Sequence, residues 1–210
     1  AMDPYDPKVI AKVTGLDPET FDFRLKADKV LLSSLTDPAH AYYQAIEGNP
    51  EITNALDIAQ GKSQTKINGE PVIAVQAAEA PHHPEGPDDN ALYAFKAGNL
   101  WFLHMGDLGY GLYEDELAPF ANHCDVLLAL TGEGLTLKLG ELDAMIDILN
   151  PTWIVPIHYN LPPLDADMTT VEEFLRRRSH DPIIHVRHHT VTFPLSKIGV
   201  GGPTIVVLEP

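Results

Sequence analysis

One cysteine, Cys124, is all that the 210 residues contain. An internal disulfide is excluded, as is a Cys-x-x-Cys zinc site, and a reducing, cytoplasmic setting is expected. No apolar run reaches the 18 residues that a membrane-spanning helix needs, and no signal-peptide pattern opens the chain. Basic residues are scarce: 14 Lys and Arg stand against 30 Asp and Glu, a formal charge of −16. Such a surface repels polyanions, so neither nucleic acid nor an anionic membrane is an expected partner. The motifs of nucleophilic and nucleotide chemistry are missing too. There is no G-x-S-x-G, no P-loop and no G-x-G-x-x-G, and Cys124 has no evident catalytic partner. The acidity favours solubility and cations but identifies no substrate, and it leaves room for a homo-oligomer. The composition is that of a folded protein, 44% hydrophobic and 21% charged, long enough for a single domain over residues 1–210.

The pattern of elements predicts an α/β protein with a mixed sheet, or two sheets face to face with helices outside. Lys29–Ser33 reads as a short buried strand. Asp37 and Pro38 then suit the N-cap and first position of a helix over Pro38–Ile46, stopped by Gly48-Asn49-Pro50. Asn68-Gly69, between Thr65–Ile67 and Val72–Ala78, suits a type I′ hairpin turn. Ala80–Asn90 reads as a polar loop, followed by a second hairpin of Ala91–Lys96 and Leu100–Met105. Helix and strand alternate after that. Glu114–Phe120 is helical, Asp125–Leu130 a buried strand, Gly140–Leu149 an amphipathic helix and Trp153–Ile157 a strand. Thr170-Val171-Glu172-Glu173 has the form of a capping box opening a helix through Arg178. Three short β runs close the chain: Ile183–Val186, Val191–Pro194 and Thr204–Leu208.

Ten histidines invite a search for metal ligands. Four strand ends carry metal-capable side chains: Asp37 with His40, Glu79 with His82 and His83, Asp107, and His158. Strand ends on one edge of a sheet converge, so these groups can meet although far apart in sequence. Imidazole with carboxylate suits one divalent metal ion, zinc, manganese or iron, and an open position on it would activate water. Each residue also has a plainer role available. Asp37 can be an N-cap, Asp107 can cap a turn between Gly106 and Gly109, and His104 fits a packed core position. His185, His188 and His189 read as surface or strand residues.

The stretch G-D-L-G at Gly106–Gly109, I-V-P-I-H-Y at Ile154–Tyr159, and D-V-L-L-A-L-T-G-E-G-L-T at Asp125–Thr136 resemble the metallo-β-lactamase-fold hydrolases. The nearest branch is the small bacterial metal-dependent hydrolases related to ascorbate-6-phosphate lactonase, and the likeness runs over nearly the whole chain. It implies an αββα sandwich of two mixed β-sheets with outer helices and a metal site at one edge. It also implies that the family's opening strands, ahead of Asp3-Pro4, are missing from this chain. The family's H-x-H-x-D-H falls on Leu35-Thr36-Asp37-Pro38-Ala39-His40, so that motif is degenerate here. Asp107 and His158 match the bridging aspartate and last histidine, and are the expected catalytic pair. The implied metal set is Asp37, His40, Asp107 and His158, with Glu79 or the His82-His83 pair (His83 as its member) supplying the next ligand. The implied activity is hydrolysis of a small-molecule substrate, an ester, lactone or phosphoester; the competing reading is a degenerate member that binds or assembles.

Overall fold

The Asn68-Gly69 turn forms as its sequence demands. In the computed structural model, which describes residues 25–35, 41, 43–79, 89–161, 167–188, 190–195 and 202–208, both residues take positive φ (53° and 87°). They join β5 (Lys66–Ile67) to β6 (Glu70–Pro71), and the type I′ backbone matches the twist of the strands it connects. An antiparallel meander follows: β7 (Ile73–Ala78), β8 (Asp89–Ala97) and β9 (Leu100–His104). Gly98, at φ 60°, closes the β8–β9 hairpin by letting Ala97 pair with Leu100.

Beyond β9 the connections cross over and the pairing turns parallel. The chain runs through α2 (Glu114–Leu117), β10 (Val126–Leu130), α3 (Leu139–Leu149), β11 (Trp153–Ile157), α4 (Val171–Arg177), β12 (Ile183–Val186) and β13 (Thr204–Leu208). One seven-stranded mixed sheet results, in the order β12-β13-β11-β10-β9-β8-β7. The two central strands, V-L-L-A-L and W-I-V-P-I, are apolar almost throughout because both faces of a parallel strand are covered. Pro156 sits in β11 beyond Ile154, the last residue of that strand paired with β13, so its lack of an N–H breaks no bond on that side.

Alternation along the strands sorts side chains between two layers. Leu92, Leu103, Met105, Leu127 and Ala129 face the helices and pack with Leu117, Leu142, Met145, Ile146 and Phe174. The fully buried Leu, Met and Phe among these contribute about 1.5–3 kcal/mol each, which fixes the strand ends that carry the site. On the other face, Phe102, Leu128, Trp153 and Val206 meet Phe193 and Leu195, while Ala91 and Tyr93 meet Ala55 and Leu56 of α1 (Ala55–Ala59). Asn54 caps α1, its side chain accepting the Leu56 N–H at 3.1 Å. The second layer is represented among the described residues by two-stranded sheets: β5 with β6, β1 (Leu25–Lys26) with β3 (Ile46–Glu47), and β2 (Lys29–Leu32) with β4 (Glu51–Asn54).

Four local expectations need correction. Residues 43–45 form a 3-10 turn and 46–47 a strand, because pairing of β3 with β1 overrides the helical pattern; Pro38–His40 lie outside the described residues. Asp89 and Asn90 belong to β8, paired with Ala78 and Ala77. Residues 191–194 form no strand, and Val191 and Phe193 bury their side chains without a ladder partner. Thr170 has N-cap backbone angles, but its hydroxyl makes no cap bond.

Candidate metal centre

Two loops leave the C-terminal ends of β9 and β11 and bring Asp107 and His158 together. Nε2 of His158 lies 3.5 Å from Oδ1 of Asp107. The carboxylate is mostly covered and the imidazole about one third exposed, so the pair opens to solvent on the histidine's side.

The position of Asp107 is set by its main chain. Gly106 turns the chain at φ 65°, and a Cβ there would stand 2.1 Å from the Asn90 side-chain oxygen. Only glycine leaves room for that approach. The Asn90 carboxamide, almost wholly buried on β8, donates to the Met105 carbonyl (3.1 Å) and accepts the Asp107 N–H (3.0 Å). Between these, the Gly106 N–H donates to Nδ1 of His104 at 2.9 Å. Both peptide groups flanking Gly106 are thus held by side chains. The loop also returns to the sheet through the Gly109 N–H, which donates to the Ala78 carbonyl at 3.1 Å.

His158 is held differently. Its φ of 51° is uncommon for a residue with a side chain, and such strain persists only where the surroundings fix it. Here Gly132 fixes it: a Cβ at that glycine would lie 2.3 Å from the His158 carbonyl oxygen and 2.8 Å from the Tyr159 Cα. Next to Gly132, the Thr131 N–H donates to the Ile157 carbonyl at 3.0 Å. A third loop locks on top. Thr169 accepts the Glu133 N–H at its hydroxyl (3.0 Å) and donates its own N–H to the Glu133 carbonyl (2.9 Å), while the Asn160 N–H donates to the Thr169 carbonyl (3.0 Å).

His104 stacks on Tyr93, centroids 5.2 Å apart and planes within 6°. Burial lowers its imidazole to about 4; the Asp107 carboxylate opposes that shift and His158 adds to it. The ring is therefore neutral near pH 7, and since Nδ1 accepts the Gly106 N–H, its proton resides on Nε2. Cys124 is buried, its thiol pushed up to about 12 by burial and by Asp125, which rules out a thiolate nucleophile at neutral pH. Tyr159 is raised too, by burial and then by the Glu172 carboxylate.

Of the residues singled out in the sequence, Asp107 and His158 are brought together. Glu79 follows β7 directly, next to the Ala78 carbonyl that holds Gly109, but it does not complete a cluster. Among the described residues no group of three or more His, Cys, Asp or Glu is placed to hold a metal. Asp37, His40, His82 and His83 lie outside the described residues. The pair itself fits a metal: two donors about 2.0–2.2 Å from a tetrahedral zinc stand about 3.3–3.5 Å apart. His185 and His188 are exposed, on and just after the edge strand β12. Asn90 and Gly132 were not apparent from the sequence. Asn90 shows only as a lone Asn at the edge of an apolar run, and Gly132 as a Gly just past a buried strand, inside the Asp125–Thr136 stretch that carries the resemblance.

A family model, the beta-lactamase superfamily domain, matches residues 1–158. A Thermococcus onnurineus (strain NA1) protein named a UPF0173 metal-dependent hydrolase is 27% identical over 124 residues, covering 58% of this chain. The match spans about half, 54%, of that curated relative's length. A solved Thermotoga maritima structure, described as a candidate Zn-dependent hydrolase of the metallo-β-lactamase superfamily, superposes with a TM-score of 0.62. It covers 89% of this chain and 84% of its own at 21% identity, a likeness of fold. Among the described residues no helix is long and apolar enough to cross a membrane.

Proposed function

Since this chain belongs to the metallo-β-lactamase superfamily, we propose that it is a metal-dependent hydrolase of a small ester, lactone or phosphoester, working in the cytoplasm. The observation that carries this reading is the Asp107–His158 pair at ligand-to-ligand separation. Asp107 and His158 would hold one divalent ion of zinc, manganese or iron, with Asp37, His40 and Glu79 or His83 as the further candidates. When bound, such an ion lowers the pKa of a coordinated water and polarises the substrate oxygen. The protein's part is to orient. Asp107 has the peptide groups on both sides of the preceding Gly106 held by Asn90, and His158 is fixed by the close approach of Gly132. His104, neutral and with its Nε2 proton settled by the Gly106 bond, adds no charge of its own to the two donors.

The test is metal analysis of protein purified without chelator, with zinc, manganese and iron added back, and ester, lactone and phosphoester hydrolysis assayed on the loaded protein. The reading expects stoichiometric metal, with binding and hydrolysis lost in D107A and H158A. No uptake of any of the three ions would refute it. A second reading, a member of the fold that binds or assembles, is favoured by Leu35. This apolar side chain is 48% exposed just past β2, where the family motif begins with histidine. It expects D107A and H158A to keep their function in the cell.

A further inference from the structure

We propose that Asn90 is a positioning residue, whose carboxamide sets the Asp107 carboxylate toward His158 and thereby sets the metal affinity of the site. The inference rests on the metal reading above only for its second clause. Three observations support it. First, Asn90 is 1% exposed and shares the helix-covered face of β8 with the buried apolar side chains of Leu92 and Ala94. A polar side chain there is costly unless both its groups are satisfied, so its presence calls for a reason. Second, both groups are satisfied by the loop alone: Nδ2 by the Met105 carbonyl and Oδ1 by the Asp107 N–H. The amide can face only one way, because a carbonyl needs a donor and an N–H needs an acceptor. Third, Gly106 exists at φ 65° with no space for a Cβ between itself and that oxygen, so loop and side chain are fitted to each other.

The carboxamide is rigid, with one donor and one acceptor in a plane. It therefore fixes the peptide planes on both sides of Gly106, and these determine where the Cα–Cβ bond of Asp107 points. Without it, Gly106 frees the loop to swing, since glycine imposes no steric preference of its own. Outer contacts of this kind that hold a metal-binding side chain are worth about 10–100-fold in affinity.

The experiment compares wild type with N90L, which removes both bonds at similar volume, and with N90S should N90L fail to fold. V206A, in the buried apolar cluster on the other face of the sheet, which includes no residue of the 105–109 loop, is the control for destabilisation alone. Cobalt(II) and zinc(II) are titrated into the chelator-treated full chain well below each unfolding midpoint, reading cobalt visible absorption and zinc competition with a dye. Metal affinity about 10–100-fold weaker in N90L, with V206A at the wild-type value, supports the proposal; wild-type affinity in N90L overturns it. Should the wild type take up no metal, the metal reading fails and a second measurement decides Asn90. The His158 ring resonances of the metal-free protein are recorded at fixed pH. Movement in N90L toward their positions in D107N supports positioning of Asp107, and resonances unchanged from wild type overturn it.

Discussion

Placing a methyl on Gly106 tests the loop most directly. The residue sits at φ 65°, where an L side chain costs about 1–2 kcal/mol. The new Cβ would also lie 2.1 Å from the Asn90 oxygen and 2.8 Å from its Cγ and Nδ2, far inside contact distance, so the amide must move. Moving it abandons the Met105 carbonyl and the Asp107 N–H, two buried backbone groups at about 1–3 kcal/mol each if left unsatisfied. Alanine returns about 0.4–1 kcal/mol by restricting the unfolded chain. The expected loss for G106A is about 3–6 kcal/mol, or about 10–20 °C in midpoint for a chain of this size. The reasoning has an internal control. In an N90A background the carboxamide is gone, its two bonds already forfeited, and only the backbone cost of about 1 kcal/mol remains. Urea unfolding of wild type, G106A, N90A and the double variant therefore yields a coupling of about 2 kcal/mol or more. A G106A cost that is the same in both backgrounds would refute the account of the loop.

Three further outcomes follow from the same geometry. G132A pushes a Cβ against the His158 carbonyl and the Tyr159 Cα, so it should weaken zinc binding about tenfold or more in a competition titration; an unchanged affinity would show that His158 does not depend on that approach. Cys124 should resist a thiol-exchange reagent in the native protein at pH 8 and react at once in urea, since burial holds its thiol near 12; rapid native labelling counts against the packing. His104 has a folded value near 4 against about 6.5 unfolded, so unfolding takes up a proton between those limits. Its contribution is fully present above pH 6.5 and lost as pH falls toward 4, and urea midpoints of H104Q should lack that one-proton slope.

The parts legible in the sequence are those whose side chains answer to one local rule. β10 and β11 are near-continuous apolar runs, α3 shows a 3.6-residue period through Leu142, Met145, Ile146 and Leu149, and Asn68-Gly69 can hardly do anything but turn. What escaped depends on distant partners. Asn90 borders a stretch rich in Pro and Gly and reads as loop; only its pairing with Ala77 makes it strand, and only the Gly106 turn gives its amide something to hold. α1 did carry a readable signal in Asn54-Ala55-Leu56, an N-cap ahead of two residues that turn out buried, but it is five residues long and too short for a period. Asp107 and His158 were legible as strand ends. Their meeting was legible through family likeness, since 51 positions of chain separate them and nothing local links the two.

The site's geometry is thus a property of backbone more than of side-chain chemistry. Asp107 follows a glycine in a left-handed turn, His158 is itself left-handed, and each is fixed by a contact that one added methyl would break. Gly134, at φ 135°, extends the pattern: a Cβ there would lie 2.4 Å from the Asp167 carbonyl, in the loop that leads to Thr169. Three loops therefore interlock at one edge of the sheet through close main-chain approaches, while the apolar layers beneath hold the strands that launch them. Strain of this kind relaxes wherever nothing opposes it. Here it surrounds two metal-capable side chains 3.5 Å apart in a chain whose net charge of −16 favours cations, and that backbone setting is what the proposed metal site rests on.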